Sequence, residues 1–309
     1  MDGHHNHEHE EEHKHDLLGH IVESSFIVLL CLISLLGNGV VLKTIYFNTR
    51  LQNSFNSFVL NLAVVDICCA LVAMPVTAAT LISYETTASK FFCTSHAAVV
   101  TLLSIVSLCS MVLMAANRFY LVAKPTQYPH TFSKTRTSKM IVFSWAVGFV
   151  FSITIYVVLI PHTQYTLSGV NCFYLKNAYV GALVYTLLVL APFTSLTLGF
   201  YLKTHHFIHK LKSSISPCTK RHDQNQKSLY VEEEKTLKIL LLILILSYSC
   251  LMTSSVVWIF QRSLKKFSHD LAVMGIYFQY LKNVIIPLIY TFVSKHYRKE
   301  LIKTLSCKH

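Results

Sequence analysis

Long apolar runs separated by short polar stretches dominate this sequence of 309 residues. Seven of the runs reach the length of about 20 residues that an α-helix needs to cross a lipid bilayer. They predict membrane-spanning helices over residues 21–47, 56–83, 91–123, 138–160, 178–205, 233–260 and 269–293. The predicted fold class is an all-α membrane protein, a seven-transmembrane helix bundle that occupies residues 21–293.

The segments on either side of the bundle have different compositions. Residues 1–20 are predicted to form a disordered extracellular tail, because residues 4–16 hold six His among acidic side chains. Three alternatives stay open for this tail: it binds zinc or copper, it changes charge at about pH 6, or it is merely solvated. Residues 294–309 are predicted to form an amphipathic surface helix, over residues 295–305, and a short cytoplasmic tail whose Cys307 is a palmitoylation candidate.

The distribution of basic residues predicts the orientation of the bundle. The formal net charge is +12, and 20 of the 27 Lys and Arg residues fall near 43–55, 117–139, 202–238 and 294–309. Helices that alternate in direction place these four stretches on the same side of the membrane. The positive-inside rule makes that side cytoplasmic. We therefore expect a plasma-membrane protein with an extracellular N-terminus and a cytoplasmic C-terminus.

The composition also excludes several function classes. Only 14% of the residues are charged, whereas a soluble domain carries about a quarter. The sequence has no phosphate-binding loop, no nucleophile elbow and no spaced metal-ligand motif. We therefore expect no enzyme activity, no cofactor and no structural metal. The net charge follows from the loop asymmetry and requires no nucleic-acid partner.

Motifs at particular positions in the predicted helices narrow the function. In chain order they are Gly37-Asn38-Gly39, the run from Asn61 to Asp66, Asn117-Arg118-Phe119, Trp145, Pro192 and Ile286-Pro287-Leu288-Ile289-Tyr290. In their order and placement, these motifs resemble those of rhodopsin-like (family A) G-protein-coupled receptors over residues 20–305. The resemblance implies a receptor that passes an extracellular signal to a heterotrimeric G protein. The Asn-Arg pair is also similar to that of the melatonin-receptor group.

Three motifs depart from the pattern of that family. The sixth helix reads Cys250-Leu251-Met252-Thr253 where the family has Cys-Trp-x-Pro, so the proline that would kink the helix is missing. Asn117 replaces an acidic residue, and Ile286 replaces an Asn. Two alternatives to a signalling receptor therefore stay open. One is a non-signalling scaffold or ligand-scavenging receptor that has kept the fold, and the other is a transporter.

Two charged residues, Asp66 and Lys282, fall deep inside predicted membrane helices. An unpaired charge there costs at least about 2 to 3 kcal/mol, so such residues pair and are functional candidates. The resemblance implies that Asp66 binds a sodium ion in a polar core that also contains Asn38, Ser107 and Asn283. Lys282 stands where the family has a small polar residue. Our hypothesis is that the Lys282 ammonium replaces sodium, and the alternative is that Lys282 reaches water.

The resemblance also implies a G-protein switch at the cytoplasmic end of the third helix. Arg118, flanked by Asn117 and Phe119, is released on activation to contact the G protein, and Tyr290 belongs to the same switch. Because Asn117 cannot form an ion pair with Arg118, Glu233 at the base of the sixth helix is its predicted resting partner. Loss of the acidic neighbour favours raised basal activity. The alternative is that Asn117 substitutes for the acid through a hydrogen bond.

The ligand pocket is likewise implied by the resemblance. The matching positions are His96, Val100, Thr101, Ser104, Ser254, Ser255, Trp258, Ile276, Tyr277 and Tyr280. Val100 stands where amine receptors have a counter-ion, and Tyr280 stands where opsins bind retinal. The remaining surface, apolar with hydroxyl groups, favours a neutral, indole-like or lipid-like small molecule. The alternative for each residue is ordinary packing between helices.

A disulfide and a further partner follow from the same resemblance. The family joins Cys93, at the outer end of the third helix, to the cysteine of the second outer loop, which is Cys172 here. Arrestin is a further candidate partner, and the distal tail offers only Thr304 and Ser306 as hydroxyl residues for phosphorylation.

Overall fold

The computed structural model describes most of the predicted bundle. Its described residues are 2–82, 90–159, 186–214, 237–256 apart from 239 and 254, and 268–293. For residues 2–17 only the backbone is described. Structural statements below concern these parts of the chain.

Seven long helices lie within the described ranges. We number them α1 (Asp2–Phe47), α2 (Ser54–Ile82), α3 (Lys90–Ala123), α4 (Lys134–Leu159), α5 (Ala191–Ser214), α6 (Leu240–Thr253) and α7 (Ser268–Val293). Each overlaps one predicted segment. Helices α1 to α5 are long and apolar enough to cross a membrane, whereas the apolar parts of α6 and α7 are shorter within the described residues.

Three helix ends differ from the prediction. Helix α1 begins at Asp2, whereas the apolar run predicted a start at residue 21. Glu is a good helix former, and the tail continues directly from a long apolar helix that has already borne the cost of nucleation. Helix α4 begins at Lys134 and α5 extends to Ser214, beyond the apolar runs that fixed the predicted ends. Basic residues end an apolar run without ending a helix.

Prolines explain two irregular turns. A π-helical turn, Cys69–Ala73, interrupts α2 just before Pro75, and a second, Thr186–Leu190, lies just before Pro192. A proline ring displaces the carbonyl four residues earlier and supplies no N–H, so the preceding turn widens. In α2 the bulge exposes carbonyl groups to neighbouring helices. The Cys31 thiol donates to the Ala70 carbonyl at 3.0 Å.

Helix α3 is the centre of the packing. It contacts α2, α4 and α5, while α1 packs against α2 and α7. In the most apolar part of α3, 72% of residues are buried, against 22% in α4 and α5. Gly148 of α4 permits the close approach to α3, because an added Cβ would lie 2.8 Å from Leu102 Cδ1 and 2.9 Å from Val106 Cγ2.

The outer surface of the bundle is apolar. Large side chains such as Leu36, Phe143 and Leu188 are 71%, 69% and 70% exposed. A water-soluble protein rarely leaves so many large apolar side chains uncovered. Acyl chains of a bilayer cover such a surface at no cost, which fits a multi-pass membrane protein.

Candidate functional site

Pro287 in α7 creates the contact that anchors α1. Because proline has no N–H, the Asn283 carbonyl, four residues earlier, lacks its helical donor. The Asn38 side-chain amide of α1 donates to this carbonyl at 2.9 Å and to the Ser34 carbonyl at 3.0 Å. The adjacent Gly37 leaves room for the proline ring, since an added Cβ would lie 2.9 Å from Pro287 Cβ. The Gly-Asn motif of α1 and the proline of α7 are therefore two halves of one contact.

A buried ion pair lies beside this contact. Lys282 Nζ of α7 is 3.8 Å from Asp66 Oδ1 of α2, and it also donates to Asn283 Oδ1 at 2.6 Å. Asp66 is 1% exposed and Lys282 is 5% exposed. Two opposite charges that share one apolar environment stabilise each other, whereas either alone would be an uncompensated buried charge. The structure thus places the lysine inside the bundle and facing the aspartate.

The Asp66–Lys282 contact is electrostatic and has no short hydrogen bond. Both Asp66 carboxylate oxygens lack a hydrogen-bond partner among the described residues, and so does Ser107 Oγ of α3. Ser107 is fully buried. Of the residues implied as sodium ligands, Asn283 therefore binds the ammonium directly, while Ser107 makes no hydrogen bond within the described part of the chain.

A second polar junction joins α2, α3 and α4. The Asn61 amide donates to Ser110 Oγ at 2.8 Å, and the Trp145 indole N–H donates to Asn61 Oδ1 at 2.9 Å. The Ser110 hydroxyl donates to the Val106 carbonyl of its own helix at 2.8 Å. Asn61 and Trp145 are motif residues, but sequence reasoning missed Ser110. The signal that could have revealed Ser110 is its spacing of three residues from Ser107, because residues three apart lie on the same face of a helix.

Aromatic side chains surround the Asn-Arg motif at the C-terminal end of α3. The Arg118 guanidinium carbon lies 3.9 Å from the centre of the Phe55 ring of α2, within the range of a cation–π interaction. Asn117 is fully buried and donates to the Tyr128 hydroxyl at 3.3 Å. Phe119 packs against Phe200 of α5, with ring centres 5.7 Å apart. Sequence reasoning missed Phe55, whose role depends on the contact between α2 and α3.

Two tyrosines of α7 connect it to α1 and α2. The hydroxyl groups of Tyr280 and Thr77 of α2 share a hydrogen bond at 2.7 Å. The Tyr277 hydroxyl donates to the Glu23 carbonyl of α1 at 3.2 Å, and its ring meets Phe26 edge-on at 4.6 Å. Both tyrosines were predicted as ligand-binding residues. In this structure their hydroxyl groups bind neighbouring helices.

The other described pocket residues line the bundle interior. Val100, Ser104 and Ile276 are buried. Thr101 and Ser255 are also buried, and each hydroxyl donates to a carbonyl of its own helix, at 2.9 Å and 3.0 Å. These bonds leave mainly apolar surface between the helices.

The predicted pocket residue His96 contacts the backbone of a neighbouring helix. Its ring nitrogen Nε2 lies 3.2 Å from the Ala73 carbonyl oxygen, at the π-helical turn of α2. The bulge that Pro75 produces therefore presents a backbone acceptor to α3.

Several predicted residues lie outside the described part of the chain. They are Cys172, Glu233, Ser254, Trp258 and Cys307, together with the side chains of Cys93 and Tyr290. The disulfide, the Arg118–Glu233 pair, the lipidation site and the surface helix over residues 295–305 therefore stay predictions.

Comparisons with known proteins agree with this arrangement. The family model described as 7 transmembrane receptor (rhodopsin family) matches residues 37–290. Similar proteins include the histamine H2 receptor of Cavia porcellus, 28% identical over 129 residues, and melanopsin-B of Xenopus laevis, 30% identical over 129 residues. Each match covers 42% of this chain, but 36% of the histamine receptor and 24% of melanopsin-B. The chain therefore matches only about a third and a quarter of their lengths.

A solved structure extends the likeness to nearly the whole chain. The crystal structure of squid rhodopsin matches with a TM-score of 0.80 at 18% identity, covering 94% of this chain and 86% of that chain. This match confirms the predicted seven-helix bundle, and the family match confirms a membrane receptor rather than an enzyme. The chain belongs to the rhodopsin family of seven-transmembrane receptors.

Proposed function

We propose that the protein is a G-protein-coupled receptor of the plasma membrane that transmits the binding of an extracellular small molecule to a heterotrimeric G protein. The observation that carries the proposal is the buried Asn117 beside Arg118 at the inner end of α3. The Arg118 guanidinium lies at the rim of the bundle, where separation of α6 from α3 would expose it. The excess of Lys and Arg in the inner loops supports a cytoplasmic location for this rim.

Activation requires a ligand that binds the open bundle more tightly than the closed one. Helix α6 is continuous over Leu240–Thr253 and lacks the family's proline in this stretch. Its Tyr248 hydroxyl lies 3.0 Å from Thr197 Oγ1 of α5. We infer that α6 moves as a straight segment together with α5, which separates its inner end from α3 and frees Arg118.

The ligand that the bundle interior favours is neutral and largely apolar. Val100 and Ile276 are buried apolar side chains, and the hydroxyl of Thr101 is bonded to its own helix. The similarity to histamine receptors does not favour an amine ligand, because Val100 offers no counter-ion at the corresponding place. We propose an indole-like or lipid-like molecule.

The Lys282 ammonium is proposed to act as the receptor's internal cation. Its charge, 3.8 Å from Asp66 Oδ1, occupies the surroundings in which the family holds sodium. A tethered cation cannot dissociate when sodium concentration falls. We therefore propose a resting state whose stability is independent of sodium.

A second function is favoured by the altered motifs. Asn117, Leu251 and Ile286 replace residues that the family uses in activation. A scaffold or scavenging receptor without G-protein coupling would tolerate all three changes.

The receptor proposal is tested by screening indole-like and lipid-like compounds in cells that carry sensors for several G-protein classes. We expect at least one sensor to respond, either at rest or after ligand addition. The matched variant Arg118→Ala should lose this response at equal surface expression, because it lacks the cation that meets the G protein. Ligand binding without any sensor response would favour the scavenging receptor instead.

The Phe55–Arg118 contact predicts the level of basal activity. In Phe55→Leu the ring that holds Arg118 is lost, so basal signalling should rise roughly two- to fivefold, as expected for a cation–π energy of about 0.5 to 1 kcal/mol. Phe58→Leu is the control, since Phe58 lies on the same helix but packs edge-on against Phe132 at 6.2 Å. An equal rise in both variants would show that general loosening of α2, rather than release of Arg118, raises activity.

The tethered-cation proposal predicts a gain of sodium sensitivity. Replacing sodium by an impermeant organic cation should leave ligand affinity in the wild-type receptor unchanged. In Lys282→Asn the pair loses its ammonium and leaves a polar core open to the ion, so agonist affinity should fall as sodium is added. Lys203→Asn, at an exposed position on α5, controls for loss of a positive charge. Sodium sensitivity in the wild-type receptor would contradict the proposal.

A further inference from the structure

The inner end of α4 carries a two-part stripe on its outward face. Lys134, Thr135, Ser138 and Lys139 form the first part, and Val142 and Phe143 form the second. Their spacings alternate between one and three residues, which keeps them on one side of an α-helix. Together they line a shallow, open groove along the helix surface.

The two parts of the stripe have contrasting chemistry. Val142 and Phe143 are 68% and 69% exposed, and both lysines are exposed as well. With a rise of about 1.5 Å per residue, Lys134 and Phe143 lie about 13 Å apart along the helix axis. This distance spans the polar headgroup and the first carbons of an acyl chain. Along the groove the lining therefore changes from basic to apolar, as a lipid changes from its headgroup to its acyl chain.

The charged side chains on α4 and in the loops that flank it are all basic. The sequence contains no Asp or Glu between Glu85 and Asp223. Arg136 lies in the same helical turn as the lysines, and its guanidinium Nη1 is 2.8 Å from His130 Nδ1. No acidic side chain on α4 or in the loops flanking it can therefore neutralise Lys134 or Lys139. The charged side chains of this part of the chain therefore attract an anion.

We propose that this stripe binds the headgroup of an anionic phospholipid in the leaflet at the inner end of α4. Lys134 and Lys139 attract the phosphate, and the Thr135 hydroxyl donates a hydrogen bond to it. The Ser138 hydroxyl donates to the Lys134 carbonyl at 3.1 Å. The acyl chain lies along Val142 and Phe143. A basic site at the membrane surface is the kind that recognises anionic headgroups, and the apolar second part favours a lipid over a free phosphate.

The experiment uses the full-length receptor in nanodiscs of phosphatidylcholine that contain a minor fraction of phosphatidylserine, and native mass spectrometry counts the retained lipids. Both leaflets of a nanodisc have the same composition, so the result depends neither on orientation nor on signalling. We expect the wild-type receptor to retain phosphatidylserine over phosphatidylcholine. The double variant Lys134→Gln/Lys139→Gln should lower this preference roughly thirtyfold, since each lysine near the surface contributes about 1 kcal/mol.

Two controls separate a built site from general charge attraction. Lys203→Gln/Lys210→Gln removes two exposed charges from α5 and should leave the preference unchanged. Phe143→Ser should weaken retention of the lipid, because it removes a contact with the acyl chain. It should leave unchanged the ability of soluble glycerophosphoserine to compete for the headgroup part of the stripe. Equal losses in both lysine pairs, no preference in the wild-type receptor, or full displacement by glycerophosphoserine would each overturn the proposal.

Discussion

A charge buried in a membrane must be paired, and this constraint organises the core of the receptor. Asp66 on α2 and Lys282 on α7 cannot both be buried unless the two helices stand in one register. The pairing extends to α1, because Lys282 binds the Asn283 side chain and Asn38 binds the Asn283 carbonyl. One network of charge and hydrogen bonds therefore fixes three helices. The cost of removing two charges from water offsets much of the attraction between them, so the pair adds little net stability, whereas removal of one partner is strongly destabilising.

The same network connects the core to the inner rim. Pro287 frees the carbonyl that Asn38 binds, and it stands four residues beyond Asn283 toward the C-terminal end of α7. Any movement of α7 must carry Lys282 past Asp66 or keep both in contact. At the rim, Arg118 rests against the Phe55 ring, which belongs to the same helix as Asp66. Helix α2 therefore contacts both the buried Lys282 ammonium and the Arg118 guanidinium.

Sequence reasoning predicted the bundle because apolar runs report directly on membrane-spanning helices. It also singled out Asp66 and Lys282, since buried charges are rare and stand out in an apolar run. It missed Phe55 because 12% of the residues are aromatic and nothing local marks the one that meets Arg118. The acceptor of Asn38 is a backbone carbonyl, which no side-chain pattern reveals. Pro75 and Pro192 are the sequence signals from which the two π-helical turns could have been predicted.

A double-mutant cycle on the purified receptor measures directly whether Asp66 and Lys282 stabilise each other. Thermal unfolding in detergent is compared for Asp66→Asn, Lys282→Met and the double variant. Each single change should lower the melting temperature strongly, because it leaves a buried charge without its partner, a loss of about 3 to 5 kcal/mol. The double variant should recover most of that loss. Single effects that simply add in the double variant would contradict the account.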